Sequence, residues 1–281
     1  MIDEKRLSEL LKGCFFGNTL ICRDVTDSTN LEICRARKEG MTEGLVAIAE
    51  QQTAGRGRRG RSWSSPPGEN LYFSVLLCPK LDVSKASMVT LLMAMAVTAA
   101  IKTLGLDGRI KWPNDVVLQS RKVCGILTEL YFEPGGGYYV VIGTGINVNQ
   151  MEFPEEIRET ATSLKRECCC QKEAAGPTSG FENGKDYILD RETLLYAVLK
   201  SFEKYYKRFC ADGDLSGLRM EYEGMLANRN ASVKVLDPKG EWEGIALGIN
   251  DTGELLVRHS NGEIEAVYAG EVSVRGIYGY V

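Results

Sequence analysis

The chain has 281 residues, 44% hydrophobic and 26% charged, enough for one large domain and a small one around a real core. Its 34 Lys and Arg against 38 Asp and Glu give a net charge of −4, which disfavours a role built on wholesale attraction to nucleic-acid phosphates. Nine cysteines without a pairing pattern argue for a reducing cytoplasm, and a single histidine, His259, disfavours a His-based hydrolase triad or a His-rich zinc centre.

Residues 1–20 hold no long apolar run, so neither a signal peptide nor an anchor is expected. Asp27-Ser28-Thr29-Asn30 precede a helical pattern at Leu31, Cys34 and Ala36, so one of these polar residues is expected to cap that helix. Residues 45–50 read as a strand, followed by a Gly/Arg loop to Gly68 and a strand over 70–77. Residues 84–104 read as a long, largely buried helix, whose most apolar part, 88–101, is too short to span a bilayer. Short strands over 109–112, 116–118 and 123–132 follow, and Gly135-Gly136-Gly137 turns the chain into another over 138–142.

Residues 168–185, rich in Gly, Cys and charge, read as an irregular insertion. Cys168-Cys169-Cys170 are adjacent rather than spaced as C-x-x-C, so a solvated loop is expected there and no protein metal site. Helices are expected over 191–211 and 214–227. From Ala231 short alternating runs separated by Gly, Asp or Asn read as a small β-barrel. The expected architecture is α+β, with a large domain over 1–229 that mixes an antiparallel sheet with helices and a small one over 230–281. Trp112 reads as core and His259 as incidental.

Gly55-Arg56-Gly57-Arg58-Arg59-Gly60 matches G-x-G-x-x-G behind a strand, but a dinucleotide fold would next require a helix. Arg61-Ser62-Trp63-Ser64-Ser65-Pro66-Pro67-Gly68 cannot form one of useful length. What remains is four arginines in six residues, interleaved with glycines that let backbone amides approach an anion. Guanidiniums bind phosphate through paired, charge-assisted hydrogen bonds, so the loop suits folding over a polyphosphate with Trp63 as an apolar wall. A solvated basic turn or a weak RNA-binding patch fits the loop as well.

Lys111-Trp112-Pro113-Asn114-Asp115 sits at a strand–turn–strand junction that presents Asn114 and Asp115 where the strands emerge, although a plain hairpin fits too. Arg121-Lys122-Val123-Cys124-Gly125-Ile126-Leu127 opens the next strand with adjacent cations, and Gly125 allows a close approach to its backbone. Gly143-Thr144-Gly145-Ile146-Asn147-Val148-Asn149 ends another strand, glycine-rich and with polar amides suited to reading a base edge. Arg, Lys, Asp, Asn and Gly thus gather at strand ends without a nucleophilic Ser motif. That inventory suits nucleotidyl transfer, where positioning and charge neutralisation carry the catalysis.

In order and approximate spacing, residues 55–63, 111–116, 122–127 and 143–147 resemble the biotin–protein ligases. Residues 27–30 and Gly270-Glu271-Val272-Ser273 in the tail also fit. The resemblance implies a class II aminoacyl-tRNA synthetase-like catalytic domain and a C-terminal SH3-like barrel. With only about twenty residues before the first strand, it implies the monofunctional form without the amino-terminal DNA-binding module. The implied reaction activates biotin with ATP to biotinyl-AMP and passes biotin to a lysine of a biotin carboxyl carrier protein, Mg²⁺ arriving on the nucleotide phosphates.

Residue by residue, the resemblance implies biotin contacts from Ser28, Thr29, Asn30, Gln52, Arg56, Gly57, Arg58, Lys122 and Gly125. It implies nucleotide contacts from Arg58, Arg61, Trp63, Lys111, Asn114, Asp115 and Asn147, and catalytic roles for Lys122, Arg58 and Asp115. Neither DNA nor a membrane is an expected partner, and the family contains monomers and homodimers. The nearest alternative, a lipoate or octanoate ligase or transferase, resembles this family in its catalytic fold. The Gly/Arg loop with Lys-Trp-Pro-Asn-Asp is more typical of biotin ligases.

Overall fold

The computed structural model describes residues 1–174, 188–237, 240–269 and 273–276. In chain order come α1 (Glu4–Leu10), β1 (Thr19–Thr26), α2 (Thr29–Lys38), β2 (Leu45–Gln52), β3 (Leu71–Leu77) and α3 (Val89–Lys102). Next are β4 (Arg109–Lys111), β5 (Asp115–Leu118), β6 (Arg121–Phe132) and β7 (Tyr138–Ile146). The helices α4 (Leu164–Ala174), α5 (Arg191–Asp212) and α6 (Arg219–Met225) complete the large unit.

Seven strands form one sheet in the order β1-β2-β3-β7-β6-β5-β4. The sheet is mixed rather than wholly antiparallel, because β1 and β2 run parallel and α2 supplies the crossover that a parallel pair needs. The remaining pairings are antiparallel. α2 covers one face, packing Ile33, Cys34 and Ala36 against Leu45, Ala47, Leu76 and Val141. α3 and α5 belong to the main core on the other face, where Phe73, Val75, Ile126 and Ile142 are buried. With helices on both faces, β3 is buried along its whole length, and its sequence is almost unbroken in apolar residues.

Several local expectations shift. The helix expected over 84–104 begins as a 3₁₀ turn, Val83–Met88, whose entry is capped by Asp82 accepting from Ser84 N at 2.9 Å. Turn and helix together, Val83–Lys102, are twenty residues long and apolar enough to cross a bilayer, longer than the stretch 88–101, but most of this segment is buried inside the fold. The stretch expected to be irregular from Cys168 is helical through Ala174, because Leu164 and Cys168, one turn apart, bury a common side of α4. Residues 175–185 of that stretch lie outside the described residues. The helix expected over 214–227 shortens to α6, since Gly213 at φ 76° ends α5 and Asp214 turns the chain by accepting from Ser216 N at 2.9 Å.

The tail is a five-stranded antiparallel sheet of β8 (Ser232–Asp237), β9 (Gly240–Ile249), β10 (Leu255–Arg258), β11 (Ile264–Val267) and β12 (Ser273–Gly276). Its order is β11-β10-β9-β8-β12. Trp112, 1% exposed, joins the two units by donating from Nε1 to Gly253 O at 3.0 Å. His259 stacks on Trp242 at 4.0 Å and meets Glu265 at 2.9 Å.

One buried ion pair anchors α5 to the sheet. Arg191 Nη1 lies 2.9 Å from Glu50 Oε2 and Nη2 lies 3.0 Å from Oε1, with both side chains 8% exposed. Burial alone would raise the Glu50 pKa, but the Arg191 bonds and the Ile2 N–H outweigh it and hold the carboxyl below its ordinary value. Glu50→Ala leaves the guanidinium buried and unpaired. It should cost about 3–5 kcal/mol in a denaturant melt. The stabilisation is present above the ordinary carboxylate pKa and is lost as pH falls through the lowered folded value, so the gap between wild type and variant should narrow there.

Candidate active site

The site begins with a bare patch on the α2 face of the sheet. Gly125 of β6 pairs with Gly145 of β7, and Gly143 lies two residues away on the same face. A methyl group at Gly143 would stand 2.2 Å from Asn30 Oδ1. At Gly125 it would meet Trp63 at 2.7 Å, and at Gly145 it would meet Trp63 Nε1 at 2.5 Å. Two side chains from elsewhere in the chain therefore lie directly on the backbone of two central strands. The Gly125 backbone, expected to admit a ligand, admits Trp63 and the Lys122 stem.

Asn30 comes from the first turn of α2. Ser28 is the N-cap residue, but its side chain makes no capping bond. The helix end is satisfied instead from β2, where Gln52 Oε1 accepts from Thr29 N at 3.0 Å and Thr29 Oγ1 at 3.2 Å. Gln52 Nε2 donates to Ser65 Oγ at 3.0 Å. Ser74 Oγ lies 2.7 Å from Thr29 Oγ1 and 2.5 Å from Asn30 Oδ1. Asn30 Nδ2 donates to Glu129 Oε2 at 2.6 Å, and the same oxygen accepts from Arg56 Nη2 at 2.9 Å. A continuous polar chain thus links both ends of the Gly/Arg loop through the cavity wall.

The loop is a small hairpin, with Gly57 N donating to Arg61 O at 2.7 Å and Trp63 N to Gly55 O at 2.8 Å. Arg58 turns inward, donating from Nη1 to Asn114 Oδ1 at 3.0 Å and from Nη2 to Ala269 O in the C-terminal unit. Burial first, and then neighbouring Arg59, push its pKa below the ordinary value, partly offset by Asp115. At the cavity floor Lys122 Nζ lies 2.7 Å from Asp115 Oδ1 and 5.2 Å above the Trp63 ring. The Lys122 backbone is clamped by N–H donation to Thr160 O at 2.8 Å and acceptance from Thr162 N at 2.9 Å. The buried Trp63 Nε1 has no hydrogen-bond partner among the described residues.

Most of the expected site residues converge on one narrow cavity of about 50 Å³. Ser28, Thr29, Asn30 and Gln52 form one wall, Arg56, Gly57 and Arg58 the rim, and Trp63, Asn114, Lys122 and Gly125 the remainder. Asp115 sits just outside the lining and reaches it through Lys122. Three expected residues are not brought in. Arg61 is exposed on the outer turn of the loop, and Lys111 is buried in β4. Asn147 spends its amide on Thr162 O at 3.0 Å, bracing the segment that clamps Lys122. A larger cavity of about 280 Å³ shares Arg58 and Asn114 but has mainly apolar walls, including Met88, Leu91 and Leu130.

Ser65, Ser74 and Glu129, which lie outside the lining but hydrogen-bond to it, were not expected. Glu129 follows Gly125 by four residues on the same strand, so the two-residue period of β6 places it on the cavity face. That signal was readable. Ser74 and Ser65 carry no comparable mark.

The Biotin/lipoate A/B protein ligase family matches residues 22–147, and the biotin protein ligase C terminal domain matches 230–275. The chain is 33% identical over 276 residues to the bifunctional ligase/repressor BirA of Bacillus subtilis, covering 97% of this chain and 79% of that protein. It is 28% identical over 254 residues to the biotin–acetyl-CoA-carboxylase ligase of Paracoccus denitrificans, covering 89% and 98%. The biotin protein ligase from Aquifex aeolicus in complex with biotin and ATP superposes with a TM-score of 0.75 at 30% identity, covering 92% and 99%. The chain belongs to the biotin/lipoate A/B protein ligase family. Within it, the carboxyl-terminal domain and the relatives are those of the biotin protein ligases.

Gly143→Ala tests the bare patch. The added methyl, 2.2 Å from Asn30 Oδ1, forces that side chain off by about an ångström. A displacement of that size can cost about 100-fold, which steady-state kcat/KM for the ligase reaction would show.

Proposed function

We propose that this chain activates biotin with ATP to biotinyl-5′-AMP and transfers the biotinyl group to a specific lysine of a biotin carboxyl carrier protein or domain. The observation that carries the reading is the convergence of the Asn30 wall, the Arg58 rim and the Lys122 floor on one cavity in a chain of this family. In this reading the wall residues Ser28, Thr29 and Asn30, with Gln52 and Arg56, hold biotin. Arg58, Asn114 and Trp63 meet the nucleotide.

Biotin's carboxylate is ionised at neutral pH and needs no general base. One of its oxygens attacks the α-phosphorus of ATP and pyrophosphate leaves. Two anions approach each other in that step, and Lys122 and Arg58 offset the charge that develops. Asp115 holds the Lys122 ammonium in place at 2.7 Å. In the second step the acceptor lysine's nitrogen attacks the acyl carbon, the bond to AMP oxygen breaks, and the amine gives up a proton. In this reading Asp115, beside Lys122, orients that amine or accepts its proton. The Gly/Arg loop, tied to the cavity by Arg56 and Arg58, keeps water from the mixed anhydride.

Among the described residues no group of three or more His, Cys, Asp or Glu side chains could hold a metal ion. Mg²⁺ is commonly held by one or two carboxylates together with substrate phosphates, so a protein cluster of that size is not needed. In this reading the ion comes on the nucleotide phosphates, and no step above passes through it.

The reading divides the chain at 229/230, with a class II aminoacyl-tRNA synthetase-like catalytic unit and an SH3-like tail. The match that starts at residue 230 supports that boundary. A net charge of −4 supports a protein lysine rather than a DNA duplex as the partner, and nine free cysteines suit a reducing cytoplasm.

Lys122→Ala should nearly abolish biotin-dependent ATP–pyrophosphate exchange, by a factor of about 10²–10³ for the loss of one charge-stabilising contact. Near-normal exchange removes Lys122 from the catalytic set. Arg58→Gly should still form biotinyl-AMP but release it early and label bystander proteins. Adenylate that stays bound as long as in the wild type counts against the loop as a lid.

A further inference from the structure

Glu129 lies on β6, and its Oε2 accepts from two donors that belong to separate parts of the molecule. Asn30 Nδ2 reaches it from α2 at 2.6 Å, and Arg56 Nη2 from the Gly/Arg loop at 2.9 Å. A single oxygen joins the cavity wall to the loop. Its side chain is 22% exposed and lies outside the cavity lining, which it reaches through Asn30 and Arg56.

The charge on that oxygen decides which way the Asn30 amide points. An amide has one donor end and one acceptor end, and an ionised carboxylate only accepts. Nδ2 must face Glu129, and Oδ1 then meets Ser74 Oγ at 2.5 Å and rests over Gly143. A reversed amide would press Oδ1 against a carboxylate. With the amide locked, Nδ2 keeps a second N–H to offer a ligand. The other arm is different in kind. Arg56 is 39% exposed, so its ion pair contributes little stability by itself, but it ties the loop to β6.

We propose that Glu129 is a positioning residue of the ligase: it locks the donor orientation of Asn30 toward the ureido ring of biotin and couples that contact to loop closure through Arg56. The inference rests on the biotin reading of the cavity. It assigns two separable effects to one side chain, one on biotin binding and one on adenylate retention.

The full-length chain carrying Glu129→Gln keeps the shape but loses the charge. Gln accepts or donates, so Asn30 is free to flip and Arg56 loses its counter-ion. The biotin KM in ATP–pyrophosphate exchange should rise on the order of tenfold, the scale of one charge-assisted hydrogen bond, while the maximal rate changes far less. Bound biotinyl-AMP should leave severalfold faster in a chase experiment. In an Arg56→Ala background, Glu129→Gln should still raise the biotin KM but shorten the adenylate lifetime no further. Glu129→Ala provides a second variant with the same expected pattern. Unchanged KM and lifetime in both variants overturn the proposal, as does a uniform fall of every parameter in step with the melting temperature. A wild-type chain that forms no biotinyl-AMP defeats the biotin reading itself. A competent wild type with indistinguishable variants defeats only the role of Glu129.

Discussion

The arrangement of this molecule depends on three missing side chains. Gly125, Gly143 and Gly145 leave the α2 face of two paired central strands without Cβ atoms, and Asn30 and Trp63 settle onto that backbone. Glycine weakens a strand because it packs nothing and gains freedom on unfolding. Here the cost falls where it is best absorbed. β6 and β7 are interior strands, and their opposite face is built into the main core with α3 and α5. The core face supplies the rigidity that the glycine face gives up.

That division explains why one short helix carries so much. α2 is the crossover that makes β1 and β2 parallel, so its position is set by chain topology before any site is considered. Its buried side, Ile33, Cys34 and Ala36, seats it on the sheet, and its first turn then stands over Gly143. Gln52, at the end of the strand that α2 leads into, satisfies the helix end at Thr29 N. The wall of the cavity is thus an outcome of the crossover, and the loop that follows Gln52 starts from the same place.

What could be read from the chain follows from the range of each signal. Strand periods and the Gly/Arg loop are local patterns that placed the strands and the loop, while most of the residues now lining the cavity were named through the resemblance of short motifs to the family. The N-cap falls at Ser28, within the expected segment, but its side chain makes no capping bond; the acceptor for Thr29 N is Gln52, 23 residues on. Cys168-Cys169-Cys170 suggested a loop because their composition is polar and charged around them, yet the spacing of Leu164 and Cys168 is helical. Arg61, Lys111 and Asn147 stand near the lining residues in sequence but outside the cavity lining. For Asn147 the reason is specific, since its amide braces the segment that clamps Lys122. Ser74 comes to support the cavity wall, through Thr29 and Asn30, by sheet register, which no local pattern announces.

The proposed chemistry needs a cation from the loop and a cation from the sheet to act on the same phosphate. Lys122 is placed by the sheet, clamped at its backbone and paired with Asp115. Arg58 belongs to a hairpin whose own hydrogen bonds do not set its distance from Lys122. That distance is set from outside the loop, by Asn114 on the β4–β5 turn and by Ala269 O in the C-terminal unit. The Ala269 carbonyl spends its acceptor on a guanidinium whose pKa is already depressed by burial, which favours keeping the charge there. In the proposed reading the C-terminal unit, through Ala269 in the turn after β11, contributes to the geometry of the first half-reaction. It holds one of the two charges at the cavity, through a single backbone oxygen far along the chain from the loop it restrains.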